Sequence, residues 1–293
     1  MSDDAEISRR LLALAPHEGD LRTRLPGVTL MRADSSRPPR PVLQDPTIVF
    51  IAQGVKRGFL GSEVFHYQAG RYLVVSVPLP FRCDTIVQDG KPMLALAVEV
   101  DMGLVFDLLA RMQQPASPPS SPPALPSRGM AVIDLAAPVR EVVLRLLDCL
   151  ASDEDLAVLG PQLVRELHYR VLQGSGGDCL RSLATSQGRR GPIFLACERI
   201  RQRYAEPLSI DALAREAAMS TSSFHKAFKV LTGHAPMQYL KTVRLQKAHE
   251  LIALQGYLVS QAAFAVGYAS ASQFSREFRR WFGYAPGEAH LTP

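Results

Sequence analysis

LSIDALAREAAMSTSSFHKAFKVLTG, residues Leu208 to Gly233, is the stretch on which the reading of this chain turns. Ile210, Leu213, Ala214 and Ala217 recur at the spacing of one buried helical face. Ala217-Ala218-Met219-Ser220 interrupts that period. Phe224, Ala227, Phe228 and Leu231 then restart it at i, i+3, i+4 and i+7. Ser209 or Asp211 suits the first turn of the first helix, and Ser220 suits the N-cap of the second. At such places a side-chain oxygen satisfies a backbone N–H that has no partner within the helix. Two short helices crossing closely at a turn of small residues read as a helix-turn-helix unit.

The pattern returns about 50 residues on, in YLVSQAAFAVGYASASQFSREFRRWFG, Tyr257 to Gly283. Val259, Ala262, Ala263 and Val266 make the first face, Gly267-Tyr268-Ala269-Ser270 the turn, and Phe274, Phe278, Trp281 and Phe282 the second face. Ser220 matches Ser270, Phe224 matches Phe274, Phe228 matches Phe278 and Gly233 matches Gly283. An internal repeat of this kind is stronger evidence than either copy alone. Between the copies, MQYLKTVRLQKAHELIAL reads as one connecting helix through Tyr239, Val243, Leu245, Ala248 and Leu251. The phenylalanines and Trp281 are read as core, not as base-stacking groups.

Upstream the pattern differs. From about 26 to 100, VTLMRA, TIVFIAQG, GRYLVVSVPL and MLALAVEV are rich in β-branched and aromatic residues, with glycines at short intervals. That spacing predicts an antiparallel sandwich or small barrel. PASPPSSPPALPSRG, Pro115 to Gly129, is a proline-rich break that reads as an extended loop or linker. Helical periodicity follows: Val139, Val142, Val143, Leu146, Leu147 and Leu150 on one face, then Leu159, Leu163, Leu167 and Val171 at steps of four. A third helical region opens at Ile193.

Charge sorts along the chain in the same way. Pro192 to Pro293 carries 12 Lys and Arg against 7 Asp and Glu, whereas residues 1–191 carry 21 of each. The basic excess in the C-terminal third fits a polyanion partner. No apolar run is long enough for a membrane span, and the acidic start MSDDAEISRR does not read as a secretory signal. Cys83, Cys149, Cys179 and Cys197 stand far apart, without metal or redox spacing, and read as reduced thiols of a cytoplasmic protein.

Leu208 to about Ala289 resembles the DNA-binding domain of the AraC/XylS family. The resemblance is carried by the Ser220-x-x-x-Phe224-x-x-x-Phe228-Lys229 helix, Thr232-Gly-x-x-Pro236, Tyr239-Leu240, Arg244-Leu-x-x-Ala248, Gly267-Tyr-x-Ser-x-Ser-x-Phe-Ser-Arg-x-Phe278 and Phe282-Gly-x-x-Pro286. The front half resembles the cupin-like N-terminal domain of one AraC subgroup, through Pro26-Gly27, Gln53-Gly-Val-Lys56, Gly70-Arg-Tyr-Leu73, Val77-Pro-Leu-Pro80, Val98-Glu-Val-Asp101, Leu163-Val-Arg-Glu-Leu-His-Tyr-Arg170 and Leu180-Arg181. The implied fold is α+β. A cupin-like β-barrel (1–135) would be effector-binding, helices (136–190) would connect and dimerise, and an all-α domain (191–293) would carry two tandem helix-turn-helix units.

That resemblance implies a transcription regulator bound to double-stranded promoter DNA. It would be a homodimer answering to an unknown small molecule, with no cofactor or metal and RNA polymerase a further candidate partner. Base contacts are expected from Ser222, His225, Lys226, Ser272, Gln273 and Arg276. Arg276 can place two donors on guanine, and Gln273 can pair with adenine. Thr221, Lys229, Lys241, Arg244, Arg279 and Arg280 are expected at phosphates or as solvated groups. Phe50, Phe59, Phe65, Tyr67, Tyr72 and Phe81 are candidates to line an effector cavity or simply to fill the core. Two alternatives stay open: a barrel serving assembly only, and a cupin-type enzyme fused to the DNA-binding module. Against the enzyme stands His66, the single histidine among the strands, with only Glu63 nearby. Cys83 is either a sensor or an inert strand thiol.

Overall fold

The computed structural model describes residues 3–112, 128–184 and 190–291. Most of the proline-rich break lies outside the described residues, but its end, Arg128 and Gly129, lies within them. After a first helix, α1 (Asp3–Leu14), come β1 (Gly19–Arg22), β2 (Val28–Ala33), β3 (Arg37–Gln44), β4 (Thr47–Gln53), β5 (Val55–Leu60), β6 (Glu63–Gln68), β7 (Arg71–Val75), β8 (Leu79–Ile86) and β9 (Met93–Glu99). Helix α2 (Met102–Arg111) follows, and β10 (Met130–Asp134) returns to the sheet. Two antiparallel sheets result, one of six strands in the order β1-β2-β9-β4-β7-β10 and one of four in the order β3-β8-β5-β6.

Both faces of the larger sheet are covered, which explains why its central strands read as unbroken apolar runs. In β4, Val49 and Ile51 meet the core between the sheets, whereas Ile48 and Phe50 meet a second core beneath the helices. The β4–β5 turn needs Gly54: its φ is +80°, and a Cβ there would lie 2.9 Å from Met93 Cβ.

Helices α3 (Ala137–Cys149), α4 (Asp153–Gln173) and α5 (Gly177–Ala184) share the second core with α1 and α2. The inward face of α3 is the expected one. The stripe on α4 is shifted: Leu156, Leu163, Leu167 and Val171 are buried, whereas Leu159 is 44% exposed. Steps of four from Leu163 reach Leu159, but a 3.6-residue repeat drifts off that row, so Leu156 and Gly160 take the inner places. These helices spend most of their apolar surface on their own sheet, leaving Val158 and Leu159 outside.

The C-terminal region is helical: α6 (Arg190–Gln202), α7 (Ile210–Glu216), α8 (Thr221–Thr232), α9 (Pro236–Gln255), α10 (Val259–Ala265) and α11 (Ala271–Phe282), closed by a 3₁₀ turn at Pro286–Leu291. The N-terminal half of α9 gives Tyr239, Leu240 and Val243 to the core of the first unit. Its C-terminal half gives Leu245, Ala248 and Ile252 to the core of the second. The two cores differ in their surroundings. That of the second unit is its own, around Phe274 and Phe278. That of the first is continuous with the space between the sheets, so Phe224, Phe228 and Tyr239 belong to one cluster with Leu60, Leu79 and Phe81.

Candidate nucleic-acid interface

The two units are built alike at their ends. Ser220 and Ser270 cap α8 and α11, accepting from Ser223 N and Gln273 N at 3.3 Å each. Gly233 and Gly283 end the same helices in the left-handed region, at φ of 75° and 91°. The turns are not alike in length. Met219 N bonds to Ala214 O, and Tyr268 N bonds to Ala263 O. Ala218, at φ +52°, therefore corresponds to Gly267, at φ +88°, and the second unit has one residue more before its cap. Sequence superposition from the cap serines misaligns the turn by one, because apolar spacing marks helix faces and not the residues that link them.

Each second helix buries its phenylalanines and turns a polar face to solvent. Phe224 and Phe228 of α8, and Phe274 and Phe278 of α11, are fully buried. Thr221, Ser222, His225, Lys226 and Lys229 are exposed on α8; Ser272, Gln273, Arg276, Arg279 and Arg280 are exposed on α11. All six residues expected at bases thus lie on accessible faces. Their local partners vary. Ser222 and Ser272 hydroxyls lie 3.3 Å and 2.9 Å from those of their caps. Gln273 donates to Glu277 at 3.2 Å, which orients its amide and leaves it open to exchange. Thr221 donates to Asp211 at 2.8 Å, tying the two helices of its unit together.

Two residues expected at phosphates are committed inside the protein instead. Arg244 sends Nε to Tyr204 O at 2.7 Å, Nη1 to Gly267 O at 3.0 Å and Nη2 to Glu206 O at 3.0 Å. Its fork clamps the segment after α6 to the turn of the second unit. Lys241 lies 3.0 Å from Glu277, which also accepts from Tyr268 at 2.8 Å. Burial opposes ionisation of Glu277, but the hydrogen bonds from Lys241, Tyr268 and Gln273 outweigh it and hold its carboxyl below the usual range. Surface charge and internal clamp look identical in sequence; only the positions of Tyr204, Glu206 and Gly267 in space separate them.

In the N-terminal region the candidate lining aromatics do not surround one space. Tyr67 and Phe81 are buried between the sheets, with Phe65 partly buried against them. Phe50 and Tyr72 belong to the core on the other side of the large sheet, their ring centroids 5.2 Å apart beneath the helices. Strand alternation accounts for the division: Phe50 and Tyr72 are cross-strand partners, so they share a face, and it is the helix-covered one. Phe59 lies on the outer face of the small sheet under the Arg57 guanidinium, 5.7 Å from its ring centre. His66 is exposed, and Glu63 pairs with Arg128 at 2.8 Å. Cys83 is buried, with its sulfur 3.2 Å from the Tyr67 hydroxyl. Among the described residues an open cleft of about 350 Å³ lies between the sheets and α6, lined by Asp45, Glu99, Asp101, Phe194, Glu198 and Arg201 with their apolar neighbours.

Known proteins share these features. The family profile described as the AraC-type transcriptional regulator N-terminus matches residues 24–179, over half of the chain. A helix-turn-helix domain profile matches residues 213–290. The HTH-type transcriptional activator RhaS of Escherichia fergusonii is 37% identical over 147 residues, covering 43% of this chain and 53% of that protein. RhaS of Salmonella schwarzengrund is 31% identical over 87 residues, covering 30% of this chain and 31% of that protein. The chain thus spans about half of one of these relatives and a third of the other. Among solved structures, ToxT of Vibrio cholerae bound to an unsaturated fatty acid superposes with a TM-score of 0.62 at 12% identity, covering 90% of this chain and 94% of that one. ToxT bound to (E)-4-(8-methylnaphthalen-1-yl)but-3-enoic acid gives 0.58 at 11% identity, over 90% and 97% of the two chains. At that identity the likeness is one of fold. Among the described residues no helix is long and apolar enough to cross a membrane.

Proposed function

The chain belongs to the family of AraC-type transcriptional regulators, and from that premise we propose that it is a sequence-specific DNA-binding regulator of transcription controlled by a small molecule. The observation that carries the DNA-binding part is the matched pair of helices α8 and α11. Each has a fully buried aromatic face and an exposed polar face, and α9 runs through both units. Such helices enter successive major grooves about 34 Å apart, their outward N-terminal residues toward base edges. In this reading Ser222, His225, Lys226, Ser272, Gln273 and Arg276 read bases. Thr221, Lys229, Arg279 and Arg280 hold phosphates, while Lys241 and Arg244 hold the domain itself.

In this division of labour residues 1–135 receive the effector, 136–190 connect and self-associate, and 191–293 bind DNA. ToxT, whose fold is similar, has been solved with carboxylic acids bound, which supports a small-molecule effector. The shared core of the first helix-turn-helix unit and the sheets supplies a physical route from effector to DNA. A homodimer and RNA polymerase complete the proposed partners, and the cytoplasm is the proposed location. The N-terminal sheets are read as non-enzymatic: His66 and Glu63 lie at the surface, away from the inner aromatics.

The test is selection of duplexes from a random library by the full chain, followed by footprinting on the enriched site. Protection of two consecutive major grooves on one face is expected. Protection of a single groove would refute the tandem reading, and failure to enrich any sequence would refute specific recognition.

A further inference from the structure

Glu277 of α11 accepts three hydrogen bonds on its carboxylate, each from a different part of the chain. Lys241 of α9 lies 3.0 Å from Oε1. Tyr268, in the turn before α11, donates to Oε2 at 2.8 Å. Gln273, one helical turn back on α11 itself, donates its amide nitrogen to Oε1 at 3.2 Å. The first two donors are firmly seated. Tyr268 is buried, its ring T-shaped against Phe274 with centroids 5.3 Å apart, and Lys241 is partly buried. Glu277 is itself mostly buried, and the ammonium beside it favours its charged form. The first unit has none of this. In the superposition that pairs Ser220 with Ser270 and Phe224 with Phe274, Ala227 stands at the position of Glu277 and Ser223 at that of Gln273. Met219 takes the position of Tyr268, by the matching bonds of the two turns. Yet the first unit folds with the same serine cap, the same two buried phenylalanines and the same left-handed glycine. The helix-turn-helix frame therefore does not require the network.

Its outer end is Gln273, exposed in the first turn of α11. What the network does there follows from donor and acceptor chemistry. A carboxylate accepts and cannot donate, so the amide atom turned to it is the nitrogen, never the oxygen. The backbone N–H of Gln273 is bonded in turn to the Ser270 hydroxyl at 3.3 Å. Main chain and amide are thus both set before DNA arrives. The amide nitrogen has two hydrogens. With one on Glu277, the other hydrogen and the carbonyl oxygen are left for a base. One donor beside one acceptor matches adenine, which shows N7 as acceptor and N6 as donor in the major groove. Guanine shows two acceptors there, and an amide oxygen fixed on that side meets guanine O6 as one acceptor against another.

We propose that Glu277 is a positioning residue for base selection: it holds the Gln273 amide in the orientation that accepts adenine and rejects guanine. Lys241 and Tyr268 act one step further back, by fixing the carboxylate. Glu277 acts through Gln273 and not on the base itself. This inference rests on the reading of Gln273 as a base contact and adds which base it selects and what sets the choice.

The test uses the full chain and the site it enriches from a random duplex library. Competition binding compares the four possible base pairs at each position of that site. Gln273→Ala should lose its preference at one position, where the wild type should favour adenine over guanine by about tenfold or more. Glu277→Gln should cut that preference by about threefold or more, as expected for neighbours in one hydrogen-bond network. It should leave the other positions, the guanine assigned to Arg276 among them, as in wild type. In the Gln273→Ala background, Glu277→Gln should change no preference further. Each preference is a ratio taken on one sample, so an unfolded fraction cancels. If Glu277→Gln does not fold, Glu277→Ala combined with Lys241→Met copies the alanine of the first unit and strands no ammonium, and the same loss is expected of it. A base other than adenine favoured at the Gln273 position would overturn the inference. So would a Glu277→Gln variant that keeps the adenine preference or lowers all preferences alike. If Gln273→Ala alters no position, the reading of Gln273 as a base contact falls, and the inference with it.

Discussion

The hydroxyl of Tyr239, on the helix that joins the two reading units, donates to the carbonyl oxygen of Pro78 at the entry to β8, 2.9 Å away and fully buried. Two more bonds flank it: the His234 ring lies 2.9 Å from Pro80 O, and Gly129 N donates to Leu231 O at 2.8 Å. Gly129 has no room for a side chain, because a Cβ there would lie 2.4 Å from Val77. The first helix-turn-helix unit is therefore fastened to the sheets at its α8–α9 turn, while the second packs around its own core.

This joint sets the first prediction. Tyr239→Phe leaves the Pro78 carbonyl buried and unpaired, which costs about 1–3 kcal/mol. The fragment 191–293 loses the whole joint and bares the part of the first unit's core, with Phe228 and Tyr239, that is continuous with the sheets. Hydrogen exchange should show α8 and the start of α9 exchanging faster in the fragment than in the full chain, with α10 and α11 unchanged. Equal protection of α8 in both would show the joint to be energetically idle.

Arg276→Ala should relax specificity at one position of the site, since a bidentate guanine contact is worth about 1–3 kcal/mol of discrimination. Lys229→Ala should weaken all sequences alike and reduce the salt slope by about one. Competition between cognate and scrambled duplexes at several salt concentrations separates the two. An unchanged preference in Arg276→Ala would reassign the reading of that position.

Arg244→Ala should behave as a folding defect. Three carbonyls lose a charged donor at once, and a loss of about 2–3 kcal/mol is expected. Arg244→Lys should rescue little, because one ammonium cannot span Tyr204, Glu206 and Gly267 as a planar fork does. Urea unfolding measures the loss, and the salt slope of DNA binding by the folded fraction should match wild type. A slope lowered by one with stability intact would restore Arg244 to the phosphates.

These cases mark what the sequence discloses. Helix faces and caps were legible at Phe224, Phe228, Phe274, Phe278, Ser220 and Ser270, because burial follows period and a cap follows residue type. Strands β2, β4, β7 and β9 were legible as strands; β5 was not, since its glycine-rich stretch 53–61 reads as a hairpin turn, and β3 and β6 lie outside the apolar runs. Which face Phe50 and Tyr72 occupy was not, since β4 and β7 are apolar on both sides and alternation carries no sign there. The fates of Arg244 and Lys241, and the joint at Tyr239, depend on groups up to 161 residues apart, beyond the reach of any local pattern.

The self-association proposed for 136–190 now rests on a small surface, Val158 at 60% and Leu159 at 44% exposure on α4. Leu159→Asp should leave the melting temperature nearly unchanged, because the site is already wet, and should convert a dimer to a monomer in light scattering at micromolar concentration. A wild-type chain that is monomeric there, or a variant that stays dimeric, would place any contact elsewhere.

The last prediction concerns acid. His168 is fully buried in α4. Its Nε2 accepts from Asp101 N at 3.3 Å, and its Nδ1 lies 2.8 Å from Val164 O. That pattern fixes a neutral ring with the proton on Nδ1. Burial lowers the pKa of His168 below its ordinary 6.5, and burial does the same to His234 at the domain joint. A base whose folded-state pKa is depressed takes up protons first in the unfolded chain, so unfolding gains as pH falls. Well above 6.5, from about pH 7.5, both states are neutral and these histidines add almost no pH dependence. Below it, stability should drop, each histidine contributing at most about 1.4 kcal/mol per pH unit until its folded-state pKa is reached. Urea midpoints measured from pH 7.5 to 5 should fall along this limb, ahead of carboxylate titration. His168→Gln removes the titrating group from α4 and should make the limb shallower, with His234 and His249, whose pKa values burial also lowers, accounting for what remains. A midpoint constant down to pH 5 would mean that the buried rings accept a proton within the fold, and would overturn this prediction.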